Sequence, residues 1–202
     1  MNNILKRALD LLLSCLALIL LSPLMLVIAL AVRIGSPGPA IFIQGRLGLA
    51  GAVFPMYKFR TMIDNAERTG TGLFSFQDDP RVTRVGKFLR QTSLDELPQI
   101  FNVLKGEMSF VGPRPPVTYE LGDYASFSPE LKHRFTVKPG ITGLAQLVGR
   151  NDFTWDQKIV LDAEYIRRFR KYGVIYDLYL ILRTVWAVLS MRNVIEKPQD
   201  QQ

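Results

Sequence analysis

The longest apolar run of the chain lies near its N-terminus. Residues 11–32 include no charged side chain. As a helix this run would measure roughly 33 Å, enough to cross a hydrocarbon core about 30 Å thick. Ser22 and Pro23 interrupt it near the middle. Because proline removes a backbone donor and clashes with the preceding turn, the sequence predicts a kink or a break at this pair.

The charges on either side of the run do not orient it across a membrane. Lys6 and Arg7 precede it, and Arg33 and Arg46 follow it, so the positive-inside signal is nearly balanced. A kinked transmembrane span and a re-entrant helix that returns to the same face explain the sequence equally well. A cleaved signal peptide is a poorer explanation, because the run is longer than the usual apolar segment of about 7–15 residues.

The pattern beyond the run predicts a mainly α-helical domain with a small β-hairpin. Residues 40–44 and 53–60 are rich in strand formers and flank a glycine-punctuated turn. Basic and apolar residues alternate at helical spacing over 81–90, which predicts an amphipathic helix. Residues 174–194 are strongly apolar but carry Arg183 near their centre. That charge favours a helix that packs on the domain or lies in the membrane interface over a second span.

Two segments match the capping-box pattern for a helix start. Ser93 and Glu96 have the required spacing, and so do Thr154 and Gln157. The second pair predicts a helix that runs to about residue 172 and stops at Gly173. We therefore divide the chain into a membrane segment (1–34), a domain (35–195) and a polar tail (196–202).

Charge and composition narrow the kind of partner. The net charge is +7 and the isoelectric point is near 9.7, which favours nucleic acid, acidic lipid headgroups or a phosphorylated substrate. The single cysteine, Cys15, excludes an internal disulfide, and the chain has no Cys/His cluster that indicates zinc. The sequence also lacks a P-loop, a GxGxxG after a strand, a GxSxG and an HExxH.

Five side chains are candidates for chemistry on their position alone. Asp95 and Glu96 fall at a predicted helix N-terminus, which favours anions, although a capping box alone would explain Glu96. Lys58 and Arg60 would share one face of a strand, which fits either an anion site or a solvated edge. Arg114 is flanked by prolines, so it is either pre-placed for bidentate phosphate recognition or exposed in a connector.

Four motifs occur in order and carry a family resemblance. They are KFRTM (58–62), TSLDELPQIFNVLKGEMSFVGPRP (92–115), KPGITGLAQ (138–146) and GRN (149–151). With the N-terminal apolar run, they resemble the small monotopic phosphoglycosyl transferases, the bacterial sugar transferase family, over about residues 6–189. DELPQ followed by VGPRP is highly specific, whereas KPG or GRN alone would be weak.

The resemblance implies a monotopic membrane protein, mainly α with a small β-hairpin, whose N-terminal re-entrant helix is broken at Ser22-Pro23. Its catalytic domain would lie on the cytoplasmic face of the bacterial inner membrane. The implied partners are a UDP-sugar donor, a polyprenyl (undecaprenyl) phosphate acceptor and the lipid bilayer, with no nucleic acid. A homodimer is compatible with the sequence.

The resemblance also implies a Mg²⁺-dependent transfer in two steps. An aspartate attacks the β-phosphate of the donor and releases UMP, and the prenyl phosphate then takes the phosphosugar from the enzyme. This transfer would initiate the assembly of a glycan. The matching nucleophile is Asp95, with Glu96 beside it, and both carboxylates are candidate metal ligands. The expected phosphate-binding cations are Lys58, Arg60, Arg90, Arg114 and Arg150.

Two hypotheses from other classes remain at this point. One is a membrane-anchored interaction protein in which the capping boxes and basic faces are structural; Mg²⁺-dependent release of UMP would distinguish the enzyme from it. The other is a basic nucleic-acid-binding module with an anchor, which a binding titration against salt would test.

Overall fold

The N-terminal apolar run forms one long helix, α1 (Asn2–Gly35), in the computed structural model, which describes residues 2–66, 79–149 and 153–190. Helical backbone continues through Pro23, so the structure contradicts an interruption of the helix at Ser22-Pro23, whereas a kink at this pair stays a prediction. Proline removes only one donor, and a long apolar helix tolerates that loss. Within the described ranges, α1 alone is long and apolar enough to cross a membrane.

Helix α1 packs on the rest of the protein at both of its ends. The buried residues fall on one helical face and form two groups, Lys6, Asp10 and Ser14 near the start and Met25, Ile28 and Val32 near the end. Between these groups, residues 15–24 include no buried side chain, and Ser22 and Pro23 are exposed. The middle of the helix therefore presents its apolar side chains to the surroundings.

The predicted β-hairpin is confirmed. Strands β1 (Ile41–Leu47) and β2 (Val53–Phe59) pair antiparallel, with Phe42 opposite Lys58. Apolar side chains from β2 enter two clusters: Phe59 packs with the end of α1, and Phe54 and Met56 pack with Val103. This double packing fixes the strand that carries Lys58.

The remaining elements are short until the last two helices. In chain order they are α2 (Arg84–Thr92), α3 (Gln99–Lys105), β3 (Ser109–Val111), α4 (Pro129–His133), β4 (Gly140–Thr142), α5 (Leu144–Gly149), α6 (Trp155–Tyr172) and α7 (Val174–Leu189). Helix α2 is the predicted basic amphipathic helix. Strands β3 and β4 pair in parallel, which the sequence did not predict because segments of three residues carry almost no periodic signal.

The two capping boxes have different outcomes. Thr154 and Gln157 form the reciprocal box that starts α6, and α6 ends at Tyr172 before Gly173, as predicted. The first box is wrong. Ser93 has a left-handed backbone (φ 57°), and its side chain makes no capping hydrogen bond on the turn that follows, so Ser93 and Glu96 do not form a reciprocal box.

The main core lies between α6 and α7. Tyr165, Ile166 and Phe169 of α6 pack with Tyr176 and Leu180 of α7, which confirms that α7 packs on the domain. Its opposite face exposes apolar side chains, including Ile175, Leu182 and Trp186. The polar tail (196–202) lies outside the described residues.

Candidate active site

Asp95 and Glu96 lie on a 3₁₀ turn, Leu94–Glu96, that joins α2 to α3. The left-handed Ser93 begins this turn, in a conformation that side-chain-bearing residues adopt at a cost of order 1–3 kcal/mol and that concentrates at functional sites. Pro98 follows and starts α3. The two carboxylates are therefore held between two conformationally restricted positions.

Glu96 is bound by two cations from distant parts of the chain. Lys58 Nζ donates to Glu96 Oε1 at 3.0 Å, and Arg114 Nη2 donates to the same oxygen at 2.6 Å. Arg114 Nη1 lies 3.5 Å from Oε2. Burial raises the pKa of Glu96, but Arg114 and Lys58 more than offset it and hold that pKa below its ordinary value. Glu96 is therefore ionised, and its carboxylate is occupied by hydrogen bonds from Lys58 and Arg114.

Asp95 lies next to this cluster but differs from Glu96 in its contacts. It is 9% exposed. Within the described residues, no side chain or backbone group donates a hydrogen bond to its carboxylate. Burial raises the pKa of Asp95 to about 6, with Lys58 opposing the shift. Two adjacent carboxylates thus have different roles available to them: one holds cations, and the other keeps its oxygens free.

A buried asparagine fixes the strand that presents Lys58. Asn102 on α3 is 0% exposed. Its Oδ1 accepts from Tyr57 N at 3.0 Å, and its Nδ2 donates to the Pro55 carbonyl and to Glu107 Oε2, both at 2.6 Å. Asn102 is not among the candidate residues that the sequence patterns predicted. The available signal was an amide side chain in the otherwise apolar stretch at the centre of α3, since buried polar groups need partners.

The structure places the other predicted cations differently. Arg60 is 4% exposed and donates to the backbone carbonyls of Pro37 and, at 2.8 Å, Ser36, so it holds the turn after α1. Arg90 donates from Nε to Thr61 Oγ1 at 2.9 Å. Arg150 lies outside the described residues. Of the five expected cations, Lys58 and Arg114 are those that the structure brings to Glu96.

The sequence that forms this site matches a known protein family. The family described as "Bacterial sugar transferase" matches residues 1–191. The chain belongs to the bacterial sugar transferase family. The match includes α1, the hairpin and the turn that carries Asp95 and Glu96.

Several curated relatives match nearly the whole chain. An undecaprenyl-phosphate galactose phosphotransferase of Salmonella typhimurium is 40% identical over 93% of this chain. A UDP-glucose:undecaprenyl-phosphate glucose-1-phosphate transferase of Escherichia coli is 44% identical over 92% of it. The chain spans only 41% and 40% of these two relatives. It spans 88% of the exopolysaccharide production protein ExoY of Sinorhizobium fredii, at 38% identity over 95% of this chain.

The residues at the site fit a magnesium ion bound together with a substrate. No group of three or more His, Cys, Asp or Glu residues lies close enough for a metal within the part of the chain that the structure describes. Mg²⁺, however, is commonly held by one or two carboxylates plus substrate phosphates and water. The free oxygens of Asp95 meet that requirement, whereas Glu96 already accepts from Lys58 and Arg114 and stays a predicted ligand.

Proposed function

We propose that this protein transfers a sugar 1-phosphate from a UDP-sugar to a polyprenyl phosphate, with Asp95 as the nucleophile. The products are UMP and a polyprenyl diphosphate sugar, the starting point of glycan assembly. Family membership and the activities for which its relatives are named support this reaction over an interaction protein or a nucleic-acid-binding module.

The observation that carries the assignment is the contrast between the two adjacent carboxylates. A nucleophile needs an oxygen free to approach phosphorus, and Asp95 has free oxygens whereas Glu96 is bound by Lys58 and Arg114. In the first step an Asp95 oxygen forms a bond to the β-phosphorus, and the bond from that phosphorus to UMP breaks. In the second step a prenyl phosphate oxygen attacks the same phosphorus and the carboxylate of Asp95 leaves.

Lys58 and Arg114 would reduce the repulsion between the Asp95 carboxylate and the pyrophosphate of the donor. A carboxylate that attacks a pyrophosphate meets strong repulsion, which fixed cations reduce without reorganising during the reaction. Glu96 holds both cations beside Asp95, so they are in place before the donor arrives. A Mg²⁺ ion held by Asp95 or Glu96 with the donor phosphates would add charge neutralisation at the pyrophosphate.

The packing of α1 supports a monotopic arrangement with both ends of α1 on the side of the domain, which we propose is the cytoplasmic side. A straight helix from Lys6 to Val32 would be about 39 Å long, more than a hydrocarbon core of about 30 Å. Both of these residues are buried against the domain. If the middle of α1 enters the bilayer, its two ends return to the side on which the domain lies. A prenyl phosphate whose tail stays in the bilayer then meets Asp95 near the membrane surface.

Trapping the covalent intermediate tests the proposal. Purified protein in detergent is incubated with Mg²⁺ and a panel of UDP-sugars labelled in the sugar, without acceptor. We expect release of UMP and a phosphosugar on the peptide that contains Asp95, detected by mass spectrometry. Asp95→Asn should give neither, whereas Asp64→Asn, a change at an exposed carboxylate, should give both.

Two results would contradict the assignment. A phosphosugar found on another residue would remove Asp95 from the role of nucleophile. Sequential kinetics that require both substrates before UMP appears, with no adduct, would replace the two-step reaction with direct transfer.

A further inference from the structure

The loop that carries Arg114 cannot hydrogen bond like an ordinary loop. Pro113, Pro115 and Pro116 have no backbone N–H, so the loop depends on its carbonyls for attachment. Arg114 itself points outward, with its side chain 43% exposed, and meets Glu96 at 2.6 Å. A long side chain on an unattached loop would not hold such a contact without a large loss of conformational entropy.

Donors from three other segments bind the four successive carbonyls of this loop. Two of the donors are backbone groups: Gly140 N donates to Pro113 O, and Leu47 N to Pro116 O, both at 3.0 Å. The other two are arginine side chains. Arg134 Nη2 donates to the Arg114 carbonyl at 2.7 Å, and Arg46 Nη1 donates to the Pro115 carbonyl at 2.9 Å.

Arg134 is built into the domain rather than resting on its surface. It is 4% exposed, and its Nε lies 3.0 Å from Oδ2 of Asp162 on α6. Its guanidinium also lies over the Trp155 ring, 4.9 Å from the centroid. Besides this ion pair, the guanidinium of Arg134 makes one hydrogen bond within the described residues, to the Arg114 carbonyl.

Stability alone does not explain this arrangement. Burying an ion pair costs desolvation, and an apolar pair of similar size often stabilises a protein as well or better. What an apolar pair cannot do is donate a hydrogen bond to the backbone of Arg114. A role of that hydrogen bond in placing Arg114 at the active site would explain why the buried ion pair is present.

We propose that Arg134 is a positioning residue that sets the Arg114 guanidinium against Glu96 by binding the Arg114 carbonyl, and that Asp162 holds Arg134 in place. The kinetic test of this inference rests on the proposed function, whereas the contact between Arg134 and Arg114 does not. It assigns a role in the transferase reaction to α6, which contributes no side chain to the Asp95–Glu96 cluster.

A double-mutant cycle tests the dependence of one residue on the other. The paired change Arg134→Met/Asp162→Leu removes the bond to Arg114 without leaving an unpaired buried carboxylate. We expect it to lower kcat/KM for UMP release by about tenfold or more, because small misplacements of a substrate-binding group can cost up to about 100-fold. In an Arg114→Ala background, the same pair should change kcat/KM by less than about twofold, since residues that act through one another are not additive.

Two further variants keep the test decisive. Arg134→Lys retains the charge beside Asp162 but not the planar fork, so it gives the same comparison if the paired variant does not fold. Arg167→Gln/Glu164→Gln removes an exposed ion pair from the same helix and should leave kcat/KM unchanged. Equal losses in both Arg114 backgrounds, or full activity in the folded variants, would overturn the proposal.

A readout that needs no turnover separates this inference from the proposed reaction. The rate at which phenylglyoxal modifies Arg114, followed by peptide mass spectrometry, should rise several-fold in the paired variant because its guanidinium leaves Glu96. An unchanged rate would show that Arg134 does not position Arg114. If wild-type protein releases no UMP from any donor, the proposed function fails while this measurement still decides the inference.

Discussion

Exchanging Asp95 for asparagine should abolish activity and at the same time stabilise the fold. The side chain is 9% exposed, and burial raises the pKa of this carboxyl from 3.8 to about 6. The folded protein therefore disfavours the ionised form. A shift of about 2 pKa units corresponds to about 3 kcal/mol, which we take as the upper limit of what neutralising this group can return to the folded state.

The sign of the effect fixes its pH dependence. Below about pH 3 the carboxyl is protonated in both the folded and the unfolded protein, so its ionisation does not change stability. Between about pH 4 and pH 6 the unfolded chain loses the proton first, and wild-type stability falls. Above about pH 6 the full cost is present. The advantage of Asp95→Asn in metal-free protein should therefore be largest at pH 7–8, small at pH 4 and absent below about pH 3.

Glu96→Gln provides the matched comparison at the next residue. Glu96 has a pKa held below its ordinary value after Arg114 and Lys58 outweigh the effect of burial, so its charge contributes stability at neutral pH. Removing that charge leaves two cations facing each other and should destabilise the fold by on the order of 2 kcal/mol. Adjacent isosteric changes should thus shift stability in opposite directions.

Thermal unfolding in detergent with EDTA, at pH 4, 6 and 8, measures both effects. For a chain of this size, 1 kcal/mol corresponds to a change in Tm of about 2–4 °C. UMP release by Asp95→Asn should fall at least about 1,000-fold, as expected when a covalent nucleophile is removed. Retained activity, or a loss of stability equal to that of Glu96→Gln, would refute the argument that Asp95 is a free, buried nucleophile.

Three other predictions follow from the site and from α1. Arg114→Lys should lower kcat/KM for UMP release by about tenfold or more although charge is kept, because an ammonium cannot reproduce the guanidinium fork; near-normal turnover would make Arg114 a general electrostatic contributor. EDTA should stop UMP release and Mg²⁺ should restore it, while activity that persists in EDTA would exclude the metal. In a Cys15→Ser background, cysteines at Asn3 and at exposed Glu130 should both resist a membrane-impermeant thiol reagent in intact cells and both react after lysis; labelling at Asn3 alone would indicate a spanning helix.

Local patterns predicted most of the elements. The hairpin, the basic helix α2 and the box that starts α6 depend on side-chain alternation, helical spacing and a cap within four residues. Each of these features is determined by residues within the element itself. The pairing of β3 with β4 is not, because it joins segments about 30 residues apart that are too short to show a period.

The side-chain contacts of the candidate site also depend on residues far apart in the sequence. Ser93 and Glu96 have the letters and spacing of a capping box, but Ser93 ends α2 in a left-handed conformation. Glu96 instead finds Lys58 and Arg114, which lie 38 and 18 residues away. A local rule could not predict that competition, since its outcome depends on where the hairpin and the proline-rich loop pack. The family resemblance singled out Asp95 and Glu96, but the contrast between their contacts comes from the structure.

The basic residues at the start of the apolar run do not act as the free charges that orient a membrane helix. The positive-inside rule treats flanking Lys and Arg as solvated charges that resist translocation, but Lys6 and Arg7 are not free in solvent. Lys6 Nζ donates to Asp177 Oδ2 at 2.5 Å and to the Val111 carbonyl at 3.0 Å. Arg7 donates to the carbonyls of Val103 and Leu104 at the end of α3, at 2.6 and 2.7 Å.

Because of these bonds, the position of the start of α1 depends on the stability of the folded domain as well as on membrane insertion. Separating the start of α1 from the domain would leave Asp177, which is 1% exposed, as an uncompensated buried charge, and breaking a buried pair costs about 3–5 kcal/mol. It would also free the last carbonyls of α3, which then need other donors. The N-terminus of α1 is therefore held by the same domain that carries Asp95, and the flanking cations act through these partners rather than through their net charge.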